Sequence, residues 1–264
     1  MKTESRKVFA IAVGLTMFAG ISQANAQESQ GPGDLNAVEI PVETLLAPSI
    51  GFEEKNDIQV VLHGALPNAC YSLAGNSVER LGDGKIRVRQ LAVRQNTGVC
   101  AEGASLPVHM TMLVPFTSEV SVGHLNAGDY EFEYLRDNGK EGFRKLNVAH
   151  NVTPGVDSLP YAAVSNETVP DVVRTGDDLL VTLTGVLNSS CTRLDPNVRV
   201  MDEKDVKILL PTVTVQKNVL CTQALIPFSK TVNLGKLAAG EYLIQTRSMH
   251  GRAVNRIVDV VKAE

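Results

Sequence analysis

From Asp57 to Gly64 the chain sets Ile58, Val60 and Leu62 at alternate positions, and from Asp178 to Gly185 it sets Leu179, Val181 and Leu183 likewise. Apolar residues at period two predict a strand with one face buried. Val78 to Leu81, the turn Gly82-Asp83-Gly84 and Lys85 to Arg94 read as a hairpin, because Asp-Gly favours tight turns. Its counterpart is Val198 to Met201, a turn at Asp202-Glu203-Lys204-Asp205, and a strand from Val206 to Gln216. Gly128 to Arg136 and Glu141 to Ala149 flank Asp137-Asn138-Gly139-Lys140, another hairpin turn. Glu241 to Arg247 with Ala253 to Lys262 repeat that arrangement. Outside the apolar N-terminus no stretch of about ten residues has a helical period.

The pattern occurs twice. Gly64-Ala65-Leu66-Pro67-Asn68-Ala69-Cys70 with Cys100 matches Gly185-Val186-Leu187-Asn188-Ser189-Ser190-Cys191 with Cys221 at an offset of 121. Pro115-Phe116 matches Pro227-Phe228, and Leu125-Asn126-Ala127-Gly128-Asp129-Tyr130 matches Leu237-Ala238-Ala239-Gly240-Glu241-Tyr242, both at an offset of 112. The second copy is therefore nine residues shorter between its second cysteine and its Pro-Phe. A period this long means tandem domains, since solenoid units run about 20–50 residues. About seven short strands per copy, with turns every 8–12 residues, predict an all-β chain of two tandem immunoglobulin-like antiparallel β-sandwiches. In Leu-x-x-Gly-x-Tyr the glycine permits a positive-φ turn and the tyrosine caps the core.

Lys2, Arg6 and Lys7, the apolar run Val8–Ile21 and the small residues of Ala24-Asn25-Ala26 read as a secretory signal over residues 1–26. The run is shorter than the about 20 residues that span a membrane. Residues 27–36 are a polar lead-in, 37–150 the first sandwich, 151–160 a linker with two prolines, and 161–264 the second sandwich. Export to an oxidising compartment favours disulfides over thiols. Four cysteines allow three connectivities. An ancestor with one domain paired its own two cysteines, which selects Cys70–Cys100 and Cys191–Cys221. Loss of the signal leaves 22 Lys and Arg against 28 Asp and Glu. That acidic balance excludes nucleic acid and anionic membrane as main partners, and no transmembrane segment follows in the mature chain.

Gly-x-Leu-x-x-x-Cys, then Cys, Pro-Phe and Leu-x-x-Gly-x-Tyr, resembles a poorly characterised group of exported bacterial immunoglobulin-like β-sandwich domains, here as a tandem pair. The second copy carries the pattern most fully, with Cys221-Thr222-Gln223-Ala224-Leu225-Ile226-Pro227-Phe228. The resemblance implies fold and a periplasmic or secreted bacterial location; it brings no catalytic residues. The chain has no Trp, and thirty residues between cysteines is short for the inter-sheet bridge of antibody domains. Immunoglobulin-like thus describes architecture.

Candidate chemistry is sparse. His63, His109, His124, His150 and His250 show no metal-ligand spacing, no G-x-S-x-G occurs, and no cofactor motif is present. His63 reads as an ordinary polar strand position, replaced by Thr184 in the second copy. Glu53-Glu54-Lys55-Asn56-Asp57 lacks a full calcium ligand series and reads as a solvated strand entry. Two features stand out as candidate binding surfaces. Lys85, Arg87 and Arg89 share one strand face, with Arg80 across the hairpin, and form a basic stripe for which the second copy offers Lys204 and Lys207. The first copy's longer segment, Ala101 to Thr111, carries Leu106, His109 and Met110 directly after a cysteine, and rigidly held loops concentrate binding residues.

The resulting expectation is an exported, non-catalytic envelope interaction module that binds a protein or surface component, with self-association possible. The alternative is an inhibitor of a secreted hydrolase that inserts the Ala101–Thr111 loop. An enzyme would require His63, His109 or His124 to converge with carboxylates across the domain interface.

Overall fold

The computed structural model describes residues 36–54, 56–101, 105, 107, 110–151, 159–249 and 252–263. Residues 1–26, most of the lead-in and most of the linker lie outside the described residues. The N-terminal half contains β1 (Val38–Ile40), β2 (Thr44–Leu46), β3 (Phe52–Glu53), β4 (Ile58–Leu66), β5 (Tyr71–Gly82), β6 (Lys85–Arg94), β7 (Val114–Gly123), β8 (Gly128–Leu135) and β9 (Glu141–Ala149). Its larger sheet runs β1-β6-β8-β9-β3, with β5 also on β6, and its smaller sheet is β2-β4-β7.

The C-terminal half contains β10 (Ala163–Thr168), β11 (Val172–Arg174), β12 (Asp178–Leu187), β13 (Thr192–Leu194), β14 (Arg199–Asp202), β15 (Val206–Leu210), β16 (Val213–Val215), β17 (Ile226–Lys236), β18 (Gly240–Arg247) and β19 (Ala253–Val261). Its sheets are β11-β19-β18-β15-β14, β10-β12-β17 and the short pair β13-β16. Among the described residues no helix is long and apolar enough to cross a membrane.

The alternating positions do what their period demands. Ile58, Val60 and Leu62 lie in one core with Phe116, Phe132 and Leu146. Leu179, Val181 and Leu183 lie in a second core with Leu209, Ile244 and Val258. The recurrent Gly and Phe are cross-strand partners, Gly64 opposite Phe116 and Gly185 opposite Phe228. A Cβ on Gly185 would fall 2.1 Å from the Ala163 carbonyl oxygen and 2.9 Å from the Phe228 ring, so only glycine admits both neighbours. Tyr130 donates its hydroxyl to the Asn126 carbonyl at 3.0 Å, tying the corner back to the backbone. Asp83 and Gly84, at φ 49° and 72°, make the tight turn between β5 and β6.

Two expectations change. The sheets are mostly antiparallel, yet β6 with β8 and β15 with β18 pair in parallel. In the N-terminal half the chain leaves the larger sheet after β6, crosses the smaller sheet as β7, and returns as β8 in the same direction. The single strand expected from Val206 to Gln216 is two, broken at Pro211, which has no N–H to donate to a ladder.

The halves also meet through a third apolar cluster. Leu46 and Val61, on the outer face of β2-β4-β7, pack with Val206, Ile208, Leu210 and Leu243, on the outer face of the five-stranded sheet. All five residues of β15 are buried for this reason, with one core on each side. Polar contacts rim the seam. Arg144 donates to Asp205 and to the Ala47 carbonyl, the Glu203 carboxylate accepts from Ser49 and Ile50, and Asn255 donates to Glu119 at 2.8 Å.

Candidate functional site

Both disulfides form, Cys70–Cys100 and Cys191–Cys221. Each ties the end of the strand that carries the recurrent Gly to the loop that leads to the Pro-Phe strand. Cys100 sits in a 3-10 turn, Gly98–Cys100, and the Gln95 N–H donates to the Cys70 carbonyl. At the other tip the Gln216 N–H donates to the Cys191 carbonyl and the Ser190 N–H to the Thr222 carbonyl.

Large apolar side chains stand in solvent around both bridges. Met112 and Leu113 are each 67 % exposed and Val99 51 %, while Leu225 is 75 % exposed and Leu220 fully exposed. Val99 and Leu220 lie at the offset of 121, and Leu113 and Leu225 at the offset of 112. The same two positions, one on each side of the second cysteine's loop, are thus apolar and exposed in both halves. Beside the C-terminal tip is a cavity of about 340 Å³, lined by Leu187, Asn188, Thr192, Val213 and Val215 and, from β18 onward, by Met249.

The segment after Cys100 is only partly described. Met110 is half-buried and fixed at the backbone, its carbonyl accepting from the Ala69 N–H and its N–H donating to the Pro107 carbonyl. Leu106 and His109 lie outside the described residues.

The basic stripe is real as a row and compensated as a charge. Lys85 lies 3.7 Å from Glu133, Arg87 3.1 Å from Glu133 and 3.8 Å from Glu141, and Arg89 3.2 Å from Glu79 and 3.6 Å from Glu39. Its counterpart is also different from the one the sequence pointed to. Lys85 pairs with Glu131 across β6 and β8, and Val206 pairs with Leu243 across β15 and β18. Positions 85, 87 and 89 therefore correspond to Val206, Ile208 and Leu210, the apolar face that closes the seam, and Lys204 lies in the preceding turn.

The acidic stretch at Glu53 is a clasp within the N-terminal half. The Glu53 N–H donates to the Asn56 side chain, and the Glu54 carboxylate accepts from the Ala127 and Asn151 N–H groups. Those bonds hold the Glu54 carboxyl below its ordinary value. His124 Nδ1 lies 2.9 Å from the Asn56 carbonyl.

His63 is no ordinary strand position. It projects from β4 into the seam, where Nε2 lies 3.5 Å from Glu241 Oε2 of the other half and Nδ1 lies 3.2 Å from Thr117 Oγ1. Glu43 completes the group, its N–H donating to the His63 carbonyl, and one ligand atom from each of the three residues lies within 4.8 Å of the others. Burial lifts the Glu241 carboxyl above its ordinary value; His63 opposes this, and Asp259, Glu43 and Asp205 reinforce it. The three residues are 20 and 178 positions apart in sequence, a separation at which no motif could announce them.

A profile of the ORF11 β-sandwich domain matches residues 181–247, which run from within β12 to the end of β18 and include both C-terminal cysteines. Two proteins of Herpetosiphon aurantiacus are similar: an uncharacterized 10.2 kDa protein in the HgiBIM 5' region and one in the HgiEIM 5' region. Each is 34 % identical over 67 residues, which is 25 % of this chain and 80 % of the relative. No solved structure matches significantly. With a sandwich core, a bridged loop and a relative covered over most of its length, the chain belongs to the ORF11 β-sandwich domain family.

Proposed function

We propose that the protein is an exported interaction module, periplasmic or secreted, that grips a protein partner with its disulfide-held tips, and that the convergence of His63 with Glu43 and Glu241, although it is the arrangement an enzyme would require, serves binding and not catalysis. The observation that carries this reading is the recurrence of exposed apolar side chains at matching positions around the two bridges, Val99 and Leu113 in one half, Leu220 and Leu225 in the other. A large side chain left in water at one position is commonplace, but the same pair kept in both copies has no role in either core. The disulfides supply the second requirement, a covalent tether that restricts each loop before contact, so that less conformational entropy is lost on binding. The cavity beside Val215 can take an apolar anchor from a partner, which is where interface energy concentrates.

The test is a photo-crosslinker placed at Leu220 or at Leu113 in the full chain and exposed to envelope and secreted extracts of its source. A control carries it at Thr182 on the polar face of β12. The reading expects one stoichiometric partner from the tip positions, lost when Leu220 and Leu225 are both changed to Ser. Because both residues are solvent-exposed, that variant keeps its fold and its thermal transition. Unchanged capture by the Ser variant would refute the reading. A captured hydrolase whose activity falls in proportion to added protein would make the module an inhibitor.

A further inference from the structure

We propose that Glu43, His63 and Glu241 bind one divalent transition-metal cation, of the zinc class, across the seam between the two sandwiches. One imidazole nitrogen with two carboxylates is a donor set for such a metal; calcium and magnesium take oxygen ligands. Metal bonds of about 2.1 Å in a tetrahedron put neighbouring ligand atoms about 3.4 Å apart. His63 Nε2 and Glu241 Oε2 already stand at 3.5 Å. Glu43, on an exposed side chain next to the start of β2, needs only a rotamer change to close the third position, since all three ligand atoms lie within 4.8 Å. Three protein ligands leave the fourth place to water.

Two independent observations point to a ligand rather than to a bare charge cluster. The first is Glu241 Oε1, buried and accepting no hydrogen bond, although a buried carboxylate oxygen ordinarily has a partner. The second is the orientation of His63. Contact between Nδ1 and Thr117 Oγ1 turns Nε2 toward the carboxylates, which is the outer-shell device that fixes the tautomer of a metal-bound imidazole. The surroundings favour a cation as well. Glu43, Glu241, Asp205 and Asp259 lie around the point, and Arg144 is engaged with Asp205.

Neither sandwich carries the set alone, because Glu43 and His63 come from the first half and Glu241 from the second, where Thr184 stands at the position matching His63. The ion would tie β4 of one half to β18 of the other and so hold the two tips in a fixed relation. This inference is independent of the proposed tip binding.

The experiment is calorimetric titration of the full, disulfide-intact chain with zinc chloride after dialysis against a chelator. In parallel, cobalt is added and its visible absorption is followed. The expected result is one ion per chain, with His63→Ala and Glu241→Gln each weakening binding more than about tenfold and Thr117→Val weakening it by about tenfold. Calcium should not compete. If His63→Ala fails to fold, Glu43→Gln, at an exposed position, supplies the same comparison and should also weaken binding and alter the cobalt spectrum. Absence of one-to-one binding, or His63→Ala, Glu241→Gln and Glu43→Gln all binding like the parent, would overturn the proposal. Displacement of the ion by calcium would overturn it too.

Discussion

Replacing Glu167 by Gln should make the protein more stable at neutral and alkaline pH and leave its acid stability little changed. Glu167 lies in β10, where a register shift between Val164 and Asn166 resets the alternation. The bulge turns both Val164 and Glu167 inward and leaves Ser165 and Asn166 outside. Burial lifts the Glu167 carboxyl from 4.5 to about 8, against the opposing effects of the Thr246 hydroxyl, which donates at 2.6 Å, and of the Arg256 charge. The fold therefore holds the neutral acid, while the unfolded chain ionises near 4.5.

Below 4.5 both states are protonated and the site adds no pH dependence. As pH rises from 4.5 to about 8 the unfolded state gains the stabilisation of ionisation and the folded state does not, so folding stability falls by about 1.4 kcal/mol per pH unit. The accumulated cost is about 3 kcal/mol at pH 7 and about 5 kcal/mol above pH 8, as an order of magnitude. The amide introduced by Glu167→Gln does not titrate, and any packing cost it carries is the same at every pH. Urea unfolding of both proteins from pH 4 to 9, with the disulfides intact, measures the difference directly, because all other titrations cancel in it. A difference that grows with pH supports the reasoning. Parallel stability curves between pH 5 and 8 would refute it, and would mean that Glu167 is ionised in the fold.

Other perturbations follow from the same geometry. Changing Cys70 and Cys100 together to Ala opens a loop with a separation of 30 residues and should cost about 3–4 kcal/mol, read as a lower urea midpoint. Gly185→Ala should cost about 2–3 kcal/mol because the new Cβ meets backbone at Ala163, whereas Gly64→Ala, with its nearest atom at 3.0 Å, should cost less in the same assay. Arg144→Ala should destabilise by about 1–3 kcal/mol and leave Asp205 without its partner. Burial alone would raise the Asp205 carboxyl, but the hydrogen bonds and charge of Arg144 outweigh it and hold it below its ordinary value. The contribution of the pair is thus present above about pH 4 and lost as pH falls through the lowered value, so Arg144→Ala should flatten the acid limb of the stability curve. Ile208→Arg places on β15 the residue type that Arg87 supplies on β6. It should open the seam, seen as a larger radius of gyration in solution scattering.

Much of the fold was legible because it rests on local rules. Ile58, Val60, Leu62 and their partners Leu179, Val181 and Leu183 announced two buried strands by period, and Asp83-Gly84 announced the hairpin by turn chemistry. What escaped the sequence depends on contacts between distant segments. A segment such as Val206–Leu210, apolar but for Lys207, is compatible with a strand, but nothing in it says which body covers the second face. Glu167 in a strand reads as an outward residue until the bulge shifts the phase. The grouping of Glu43, His63 and Glu241 exists only when the halves dock, so spacing rules that detect ligands one helical turn or a few residues apart pass over it. The basic stripe was visible, but its carboxylate partners Glu39, Glu79, Glu133 and Glu141 come from four separate places along the chain.

The correspondence of Lys85, Arg87 and Arg89 with Val206, Ile208 and Leu210 also gives a physical reason against a further sandwich stacking on the pair. The seam joins unlike faces, the small sheet of the first half to the large sheet of the second, and a heterologous contact of this kind can in principle repeat without closing. Both free ends are altered against that. The large sheet of the first half carries ion-paired charges where the second half is apolar. The small sheet of the second half has Thr182 and Thr184 where the first has Val61 and His63. Burying the charged row against another sandwich would strip water from Lys85, Arg87 and Arg89 and their carboxylates, a cost that exposed ion pairs do not repay. On that face of β12 only Leu180 is a large exposed apolar side chain beside Thr182 and Thr184, so little apolar area is offered in return. Among the surfaces left with apolar groups in solvent, the two disulfide tips are where exposed apolar positions recur in both halves, and those are where a partner of different chemistry has something to bind.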